Sequence, residues 1–364
     1  MTLLFIDGFD AYGVNAASVA AECAAAGYLA NATSTTLSSD TATGVGFSVY
    51  ANSGPRGSGG GLVRAFPGAA GLCVGFRFKA DTPAYDGICQ LGYTNLLGSF
   101  VDHIKLVLNG QNGISVGTED PSSHHLSQAG FGAPTTVGSL IAASPPNVLF
   151  VGVWQYIEVL FVVGALLQVR IDGATVINVA SPGSSAGLPP AINYFNLSNL
   201  QNAGGRYDDM YICDTNGASF NTFLGDVVVH AVFPNGDGGA NQFAQIGGTG
   251  AGHFTSVDEL TPDGDASYLS SNTTGQIELF TTPTLPADIV DVLAVAVNTS
   301  ARKQAVGIGS YASLLDISGV QSVSATLPTA LGYVTQQSLF ASPPGGGTWT
   351  LTSAQNAKFG VKIV

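Results

Sequence analysis

The stretch Trp154–Gly173, WQYIEVLFVVGALLQVRIDG, decides the fold. Its first half, up to Val163, is rich in β-branched and aromatic residues and contains neither proline nor glycine, which favours a strand over a helix. Gly164-Ala165 interrupts this run, and Leu166–Ile171 then alternates apolar with polar residues. Asp172-Gly173 ends the second strand with a turn, because glycine accepts a positive φ without steric cost. The stretch therefore predicts a buried β-hairpin.

A membrane-spanning helix is the alternative interpretation, because Val148–Leu167 is almost unbroken apolar sequence. Gln155 and Glu158 would then lie in hydrocarbon, where a carboxylate costs roughly 2.5–3.5 kcal/mol on insertion scales. Gly164 and the short-period alternation after it also fit a hairpin better than a single helix. The sequence therefore predicts no membrane partner.

Composition extends the β prediction to the whole chain. Charged residues make up only 10% of the 364 residues, hydrophobic residues 45%, and 48 residues are glycine. This mixture is too apolar for disorder and is typical of many short strands joined by glycine-rich turns. The formal net charge of −13, with only 11 basic residues, argues against a nucleic-acid partner, because phosphate binding requires clusters of Lys and Arg.

The length and one break in the pattern predict two domains. Leu224–Phe233 has the composition of a strand, and Pro234–Gly239 then ends it, because proline lacks a backbone donor and glycine interrupts strands. We therefore place the boundary at residue 237, which gives an N-terminal domain of residues 1–237 and a smaller C-terminal domain of residues 238–364.

Strand-like segments continue through the C-terminal domain. Ile289–Asn298 is apolar on both of its alternating faces, which predicts a central strand buried on both sides. The predicted fold class is all-β: a sandwich followed by a smaller, jelly-roll-like sandwich. Trp349 is expected to anchor a core or interface rather than to form a sugar platform.

The remaining organisation consists of one helix and two long loops. Asn15–Gly27 is alanine-rich, with a possible N-cap at Asn15 and a C-cap glycine, and predicts a helix. Pro121–Pro146, which contains His124 and His125, and Pro182–Pro190 predict loops. Loops at one end of a sandwich are where ligand or partner contacts usually lie.

Several segments of the chain carry a resemblance to known groups. The tryptophan-led hairpin resembles the signature of laminin-G and concanavalin A-like sandwiches, with Asp7–Asp10 similar to the first strand of that fold and Gly205–Asp214 similar to its last. This resemblance implies a concanavalin A-like jelly-roll sandwich for the N-terminal domain. The start Leu4–Asp10, the run Asp208–Thr215 and the following Phe223–Val227 together resemble structural proteins of tailed-bacteriophage virions. The likeness spans most of the chain.

The second resemblance implies a structural component of a virion that acts through protein–protein assembly. Tail, baseplate or fibre is the implied position, and the implied partners are other virion proteins and further copies of this chain in a homo-oligomer. The alternatives are a capsid decoration protein and a glycan-binding module that recognises the host surface. Met1–Asp10 lacks the basic region of a signal peptide, which predicts synthesis in the host cytoplasm.

The sequence predicts no enzyme and no catalytic cofactor. Paired carboxylates in a glycosidase-type strand motif are absent, as is a Gly-x-Ser-x-Gly nucleophile motif. The four cysteines are far apart and lack the spacing of a zinc site. Cys89 and Cys213 lie in apolar, strand-like runs, where small buried hydrophobic roles are expected.

A structural calcium ion is the one cofactor that the resemblance suggests. Related sandwiches often hold calcium through Asp side chains, and hard oxygen ligands are what calcium requires. The resemblance would bring together the candidate ligands Asp7, Asp10, Asp208 and Asp209. Alternatively, these aspartates cap turns by accepting hydrogen bonds from the backbone.

Overall fold

The computed structural model describes most of the chain, in two compact units. The described residues are 3–10, 12, 23–30, 35–42, 48–51, 61–82, 87–94, 100–118, 140–183, 189–198, 204–260, 262–306 and 309–364. Unit 1 comprises residues 1–24 and 28–229, and unit 2 comprises residues 25–27 and 230–364. The boundary at residue 237 stays a prediction.

The described elements of unit 1 are strands, apart from a short helical stretch at residues 23–25. In chain order they are β1 (Leu3–Asp7), β2 (Tyr28–Ala30), β3 (Thr35–Ser38), β4 (Ser48–Ala51), β5 (Gly61–Ala69), β6 (Gly71–Ala80), β7 (Gly87–Thr94), β8 (Phe100–Leu108), β9 (Ile114–Gly117), β10 (Leu140–Ala143), β11 (Gln155–Val162), β12 (Leu166–Ile171), β13 (Ala174–Ala180), β14 (Ile192–Ser198) and β15 (Gly205–Asp214).

These strands form two antiparallel sheets. Sheet 1 has the order β13-β12-β11-β6-β15-β4-β3, with β1 also paired to β15, and sheet 2 has the order β10-β9-β8-β7-β14-β5-β2. The hairpin prediction is confirmed: β11 and β12 pair antiparallel from Ile157 opposite Ile171 to Val162 opposite Leu166. Asp172, with φ 49°, begins the turn that follows.

Aromatic side chains from both sheets fill the core of unit 1. The Phe76 ring, from sheet 1, lies 6.0 Å from the Phe195 ring of sheet 2 and 5.8 Å from that of Tyr207. The Tyr207 hydroxyl donates to the Ile88 carbonyl across the sandwich, at 2.8 Å. Because these side chains are fully buried between the two sheets, unit 1 is a β-sandwich.

A segment without strand pairing, residues 215–229, is bonded to side chains of sheet 1; we call it the covering segment. The prediction of a strand at Leu224–Phe233 is wrong, because this stretch contains no strand. A β-branched run does not by itself create a ladder. The backbone donors here bond instead to side chains of the sheet, at Leu224, Gly225 and Val229.

Unit 2 is built from ten shorter strands, a 3-10 helix (His253–Ser256) and one α-helix, α1 (Leu351–Asn356), within the described residues. The strands are β16 (Gly236–Asn241), β17 (Ala244–Ile246), β18 (Tyr268–Ser270), β19 (Ile277–Thr281), β20 (Val295–Ala301), β21 (Ser310–Ile317), β22 (Val320–Val323), β23 (Leu327–Pro328), β24 (Val334–Phe340) and β25 (Lys358–Ile363). The largest sheet has the order β16-β19-β25-β21-β22, with β23 also paired to β21, and β17-β18 and β20-β24 form two-stranded sheets.

The core of unit 2 is small. Trp349 lies in it with Leu315 and Phe340, and its indole N–H donates to the Phe340 carbonyl at 2.8 Å. Ile289–Asn298 is not the central strand that the sequence predicts, because β20 begins only at Val295 and pairs with β24 alone. An apolar pattern on both faces indicates that a segment suits burial, but the pattern does not supply the neighbouring strands.

Two further predictions concern helices. Of the predicted helix Asn15–Gly27, residues 15–22 lie outside the described residues, and residues 23–25 are helical. In the described part of the chain, no helix is long and apolar enough to cross a membrane.

Candidate functional site

Asp7, the first candidate calcium ligand, is surrounded by internal hydrogen-bond donors. Its Oδ2 accepts from the hydroxyls of Tyr12, at 2.5 Å, and Tyr28, at 2.7 Å. Its Oδ1 accepts from the Phe9 amide at 2.8 Å. Burial raises the pKa of the Asp7 carboxyl above its usual value, and these hydrogen bonds counteract the rise. Both oxygens therefore have structural partners.

Asp208, on β15, is buried and interacts with Asp10. Its Oδ1 accepts from the Asp209 amide at 2.9 Å and its Oδ2 from the Ala42 amide at 3.1 Å. Burial, together with the negative charges of Asp209 and Asp10, raises the pKa of Asp208 to about 8. The structure thus brings Asp10 and Asp208 into electrostatic contact.

Asp209 belongs to a different environment, although it is the next residue. Its φ of 49° coincides with an irregularity in the pairing of β15 with β6. Its Oδ2 accepts from Arg77 Nε at 3.0 Å and its Oδ1 from the Val229 amide at 2.8 Å. Asp209 therefore fixes the end of the covering segment to sheet 1.

These contacts test whether the four aspartates suit calcium, which takes six to eight oxygen ligands. Asp7, Asp208 and Asp209 all use both carboxylate oxygens on protein donors. In the described part of the chain, no three His, Cys, Asp or Glu side chains are grouped so that they could hold a metal ion. These contacts favour the turn-capping alternative for the three residues, and the calcium ion stays a prediction.

A buried polar network lies between sheet 1 and the covering segment. Glu158, on β11, is 1% exposed, and its Oε1 accepts from the Tyr211 hydroxyl at 2.6 Å and from the Gly225 amide at 2.8 Å. The Tyr211 oxygen in turn accepts from the Leu224 amide at 3.1 Å. The Glu158 carboxylate therefore satisfies the Gly225 amide directly and the Leu224 amide through Tyr211, in a segment that has no strand pairing.

Gly75, on β6, leaves the space that the Tyr211 ring occupies. A Cβ atom at this position would lie 2.2 Å from Tyr211 Cε1, far inside van der Waals contact. Any side chain at position 75 would therefore push the tyrosine away from Glu158. No local sequence pattern predicts this network, because Tyr211 and Glu158 are 53 residues apart in the chain.

Cationic side chains attach the covering segment at two further points. Arg77 Nη2 lies 2.7 Å from Asp226 Oδ1, and the Arg170 guanidinium lies 4.0 Å from the centre of the Phe223 ring. The covering segment is thus held to sheet 1 by an ion pair, by hydrogen bonds and by a cation–π contact.

A second set of polar side chains, the polar row, lies on sheet 2 and consists of Gln90, Asp102, Lys105, Tyr194 and Asn196. Asp102 accepts a hydrogen bond from the Tyr194 hydroxyl and forms an ion pair with Lys105, whose Nζ lies 3.3 Å from its Oδ2. On neighbouring strands, Asn196 Nδ2 donates to Gln90 Oε1 at 2.7 Å. Asn196 Oδ1 is buried and accepts no hydrogen bond from the described residues, which leaves one acceptor of the polar row without a partner there.

The loops that the sequence marks as contact regions are only partly described. His124 and His125 lie outside the described residues, as do residues 121–139 and 184–188. Their predicted roles stay predictions.

The cysteines are buried thiols, as their positions in apolar segments predict. Cys23, Cys73, Cys89 and Cys213 are all free and buried. Burial raises the pKa of the Cys73 thiol to about 12. Because the thiolate is the reactive form, this thiol is a poor nucleophile.

The hydrogen-bond partners of His103 and His253 show whether either imidazole could activate a nucleophile. His103 is fully buried, its Nε2 lies 3.0 Å from the Ala191 carbonyl, and burial lowers its pKa. His253 Nδ1 lies 2.8 Å from Oε1 of the buried Glu278, and burial raises the pKa of that carboxyl. Within the described residues neither imidazole is hydrogen-bonded to a serine or cysteine, so neither forms a nucleophile–base pair there.

Comparison with solved structures finds similarities of low identity and low TM-score. The Cellulose induced protein Cip1 shares 15% identity and a TM-score of 0.33, over 49% of this chain and 84% of its own. Alginate lyase Aly36B shares 12% identity and a TM-score of 0.33, over 58% and 96%. The Caenorhabditis elegans galectin LEC-6 shares 8% identity and a TM-score of 0.27, over 42% and 89%.

Neither sequence comparison adds a family. No family model matches the chain, and no curated protein matches it. The identities and TM-scores of the solved structures are too low to indicate an activity or a ligand for this chain. None of the three proteins is named as a virion component.

Proposed function

We propose that this chain is a non-enzymatic structural subunit that works by protein–protein assembly in a tailed-phage virion, at the tail, baseplate or fibre. The observation that carries the assembly role is the apolar surface of unit 2. The virion itself is proposed from the resemblance of the Leu4–Asp10 and Asp208–Thr215 segments.

Large apolar side chains on the surface of unit 2 support assembly. Val290 is 87% exposed and Val306 92%, and Leu331, Val320 and Val323 are each about half exposed. Unit 1 also exposes large apolar side chains, Leu140 and Val153 among them, but it holds all of the largest fully buried ones: Tyr156, Tyr194, Tyr207, Tyr211, Phe9, Phe76, Phe78, Phe161, Phe195, Leu72, Ile88 and Leu91. Unit 2 therefore exposes apolar side chains of the kind that another protein covers.

The chemistry of the described residues supports a binding role rather than catalysis. The buried carboxylates Asp7, Asp209 and Glu158 each accept two or more structural hydrogen bonds. Such groups hold the fold together and are not free to exchange protons with a substrate.

The virion assignment is tested by locating the protein. An antibody raised against the full chain is applied to purified particles from cells that carry the gene, and labelling is followed by electron microscopy. We expect label at the tail, baseplate or fibre. Label on the capsid would support the decoration alternative, and particles without label would contradict a virion role.

Glycan binding is the second candidate, and the polar row favours it. Asn196 Oδ1 lacks a donor among the described residues, and the neighbouring half-buried Gln90 supplies an amide group that suits sugar hydroxyls. A host-surface glycan bound here would make the chain a recognition module.

A glycan array with the full chain tests this candidate. Binding that is lost in Asn196→Ala and kept in Asn178→Ala, an exposed asparagine on sheet 1, would establish the polar row as a glycan site. An array without binding would rule out this second function and leave the assembly proposal intact.

A further inference from the structure

We propose that copies of this chain join through strand addition, in which residues 289–294 of one copy, the arm, pair with the free edge of β22 in a second copy. This inference rests on the proposed assembly function and names the elements that carry it out.

The arm has the sequence of a strand but no strand partner. Its residues, IVDVLA, are mostly β-branched or apolar. Residues 290–293 make no backbone hydrogen bond among the described residues, so their amides and carbonyls are available. Unpaired backbone of this kind is what strand addition uses.

The side chains of the arm divide between the core and the surface. Val292 packs against the core cluster of unit 2, which anchors the arm to its own copy. Val290 is almost fully exposed and Leu293 is 41% exposed, so two apolar side chains face outward. The burial that the sequence pattern predicts is therefore met at Val292 but not at Val290 or Leu293.

The receiving surface is β22, the last strand of the largest sheet of unit 2. Its free edge is unprotected, because Val320–Val323 (VQSV) contains neither charge nor proline. Natural edge strands usually carry such residues to prevent pairing with another chain. Val320 and Val323 are each about half exposed, so the edge also offers apolar side chains.

A second copy is the partner that fits both elements, since one chain carries an arm and an edge. Charge favours arm-to-edge pairing: the arm contains Asp291, which is exposed, and β22 contains no charge. Pairing two arms about a twofold axis would bring acidic side chains together, which is unfavourable. Arm-to-edge contact leaves one arm and one edge free, so it continues into a closed ring or an open filament.

Light scattering on full-length variants tests the contact. We expect the wild-type oligomer to dissociate at least tenfold more readily when Val290→Lys and Leu293→Lys are combined, and likewise with Val323→Lys. Val153→Lys, at a half-exposed valine of unit 1 outside both elements, is the matched control and should leave the mass unchanged.

Mixed-chain crosslinking tests the pairing itself. Chains with Leu293→Cys and chains with Val323→Cys are mixed and oxidised; the four native cysteines are buried. We expect disulfides between the two variants. Disulfides only between Leu293→Cys chains would overturn arm-to-edge pairing.

The outcomes separate this inference from the proposed function. An oligomer that survives all arm and edge variants, without mixed disulfides, would overturn the inference and leave assembly standing. A wild-type chain that is monomeric at every concentration would overturn the arm contact, while labelling of the particle would still report on the virion role.

Discussion

Replacement of Glu158 should release the covering segment from sheet 1. Its Oε1 accepts from Tyr211 and from Gly225, and both donors would lose their acceptor in Glu158→Leu. A hydrogen bond to a charged group contributes about 1.5–3 kcal/mol, so the loss of two predicts a fall of about 3–6 kcal/mol in the free energy of unfolding of unit 1.

Glu158→Gln is the matched variant, because its amide oxygen retains an acceptor at the same place. It should lose about 1–2 kcal/mol, since the two bonds remain without the charge. Denaturant unfolding gives the magnitudes, and hydrogen exchange read by mass spectrometry locates the change. The amides of Leu224 and Gly225 should lose protection in the leucine variant first.

An unfolding free energy of Glu158→Leu within about 1 kcal/mol of the wild type would refute this role of the carboxylate. Equally fast exchange of the leucine and glutamine variants across residues 215–229 would refute it as well. Either result would mean that Glu158 does not hold the covering segment.

Three other predictions use the same measurement of unfolding. Burial raises the pKa of Asp208 to about 8, so its stabilising contribution is fully present below the unfolded pKa of about 4 and is lost as pH rises toward 8. In Asp208→Asn the free energy of unfolding should therefore fall by on the order of 2–5 kcal/mol less between pH 4 and 8 than in the wild type. The same dependence of unfolding free energy on pH in both proteins would count against the burial of this carboxyl. Gly75→Ala should cost at least about 1–3 kcal/mol because its Cβ meets Tyr211, whereas Gly183→Ala, where the Cβ meets open space, should stay within about 0.5 kcal/mol. Trp349→Ala should cost about 3–5 kcal/mol in unit 2, since the indole fills the core; a loss near zero would instead fit an exposed binding platform.

The hairpin could be predicted from the sequence because its signal is local. The alternation in Leu166–Ile171 and the turn at Asp172-Gly173 specify two adjacent strands without knowledge of the rest of the chain. The same local pattern predicts burial for residues 289–294, and it fails at Val290 and Leu293, because burial depends on a neighbouring strand that the described part of the chain does not place beside them.

The role of a carboxylate in the candidate calcium site could not be predicted from the sequence. The resemblance suggested ligands, but the donors that occupy Asp7 include Tyr12 and Tyr28, and those that occupy Asp209 come from Arg77 and Val229. Partners distant in the sequence decide whether a carboxylate is a ligand or a structural acceptor. The covering segment could not be predicted for the same reason, since its backbone bonds to side chains rather than to a strand.

Assembly with other copies of the same chain is the central claim. The most direct test is the mass of the purified wild-type chain in solution, measured by light scattering over a range of concentrations. The account predicts a mass that is an integer multiple of 36.9 kDa, two or more, and that falls on dilution. A mass of one chain at every concentration would contradict it.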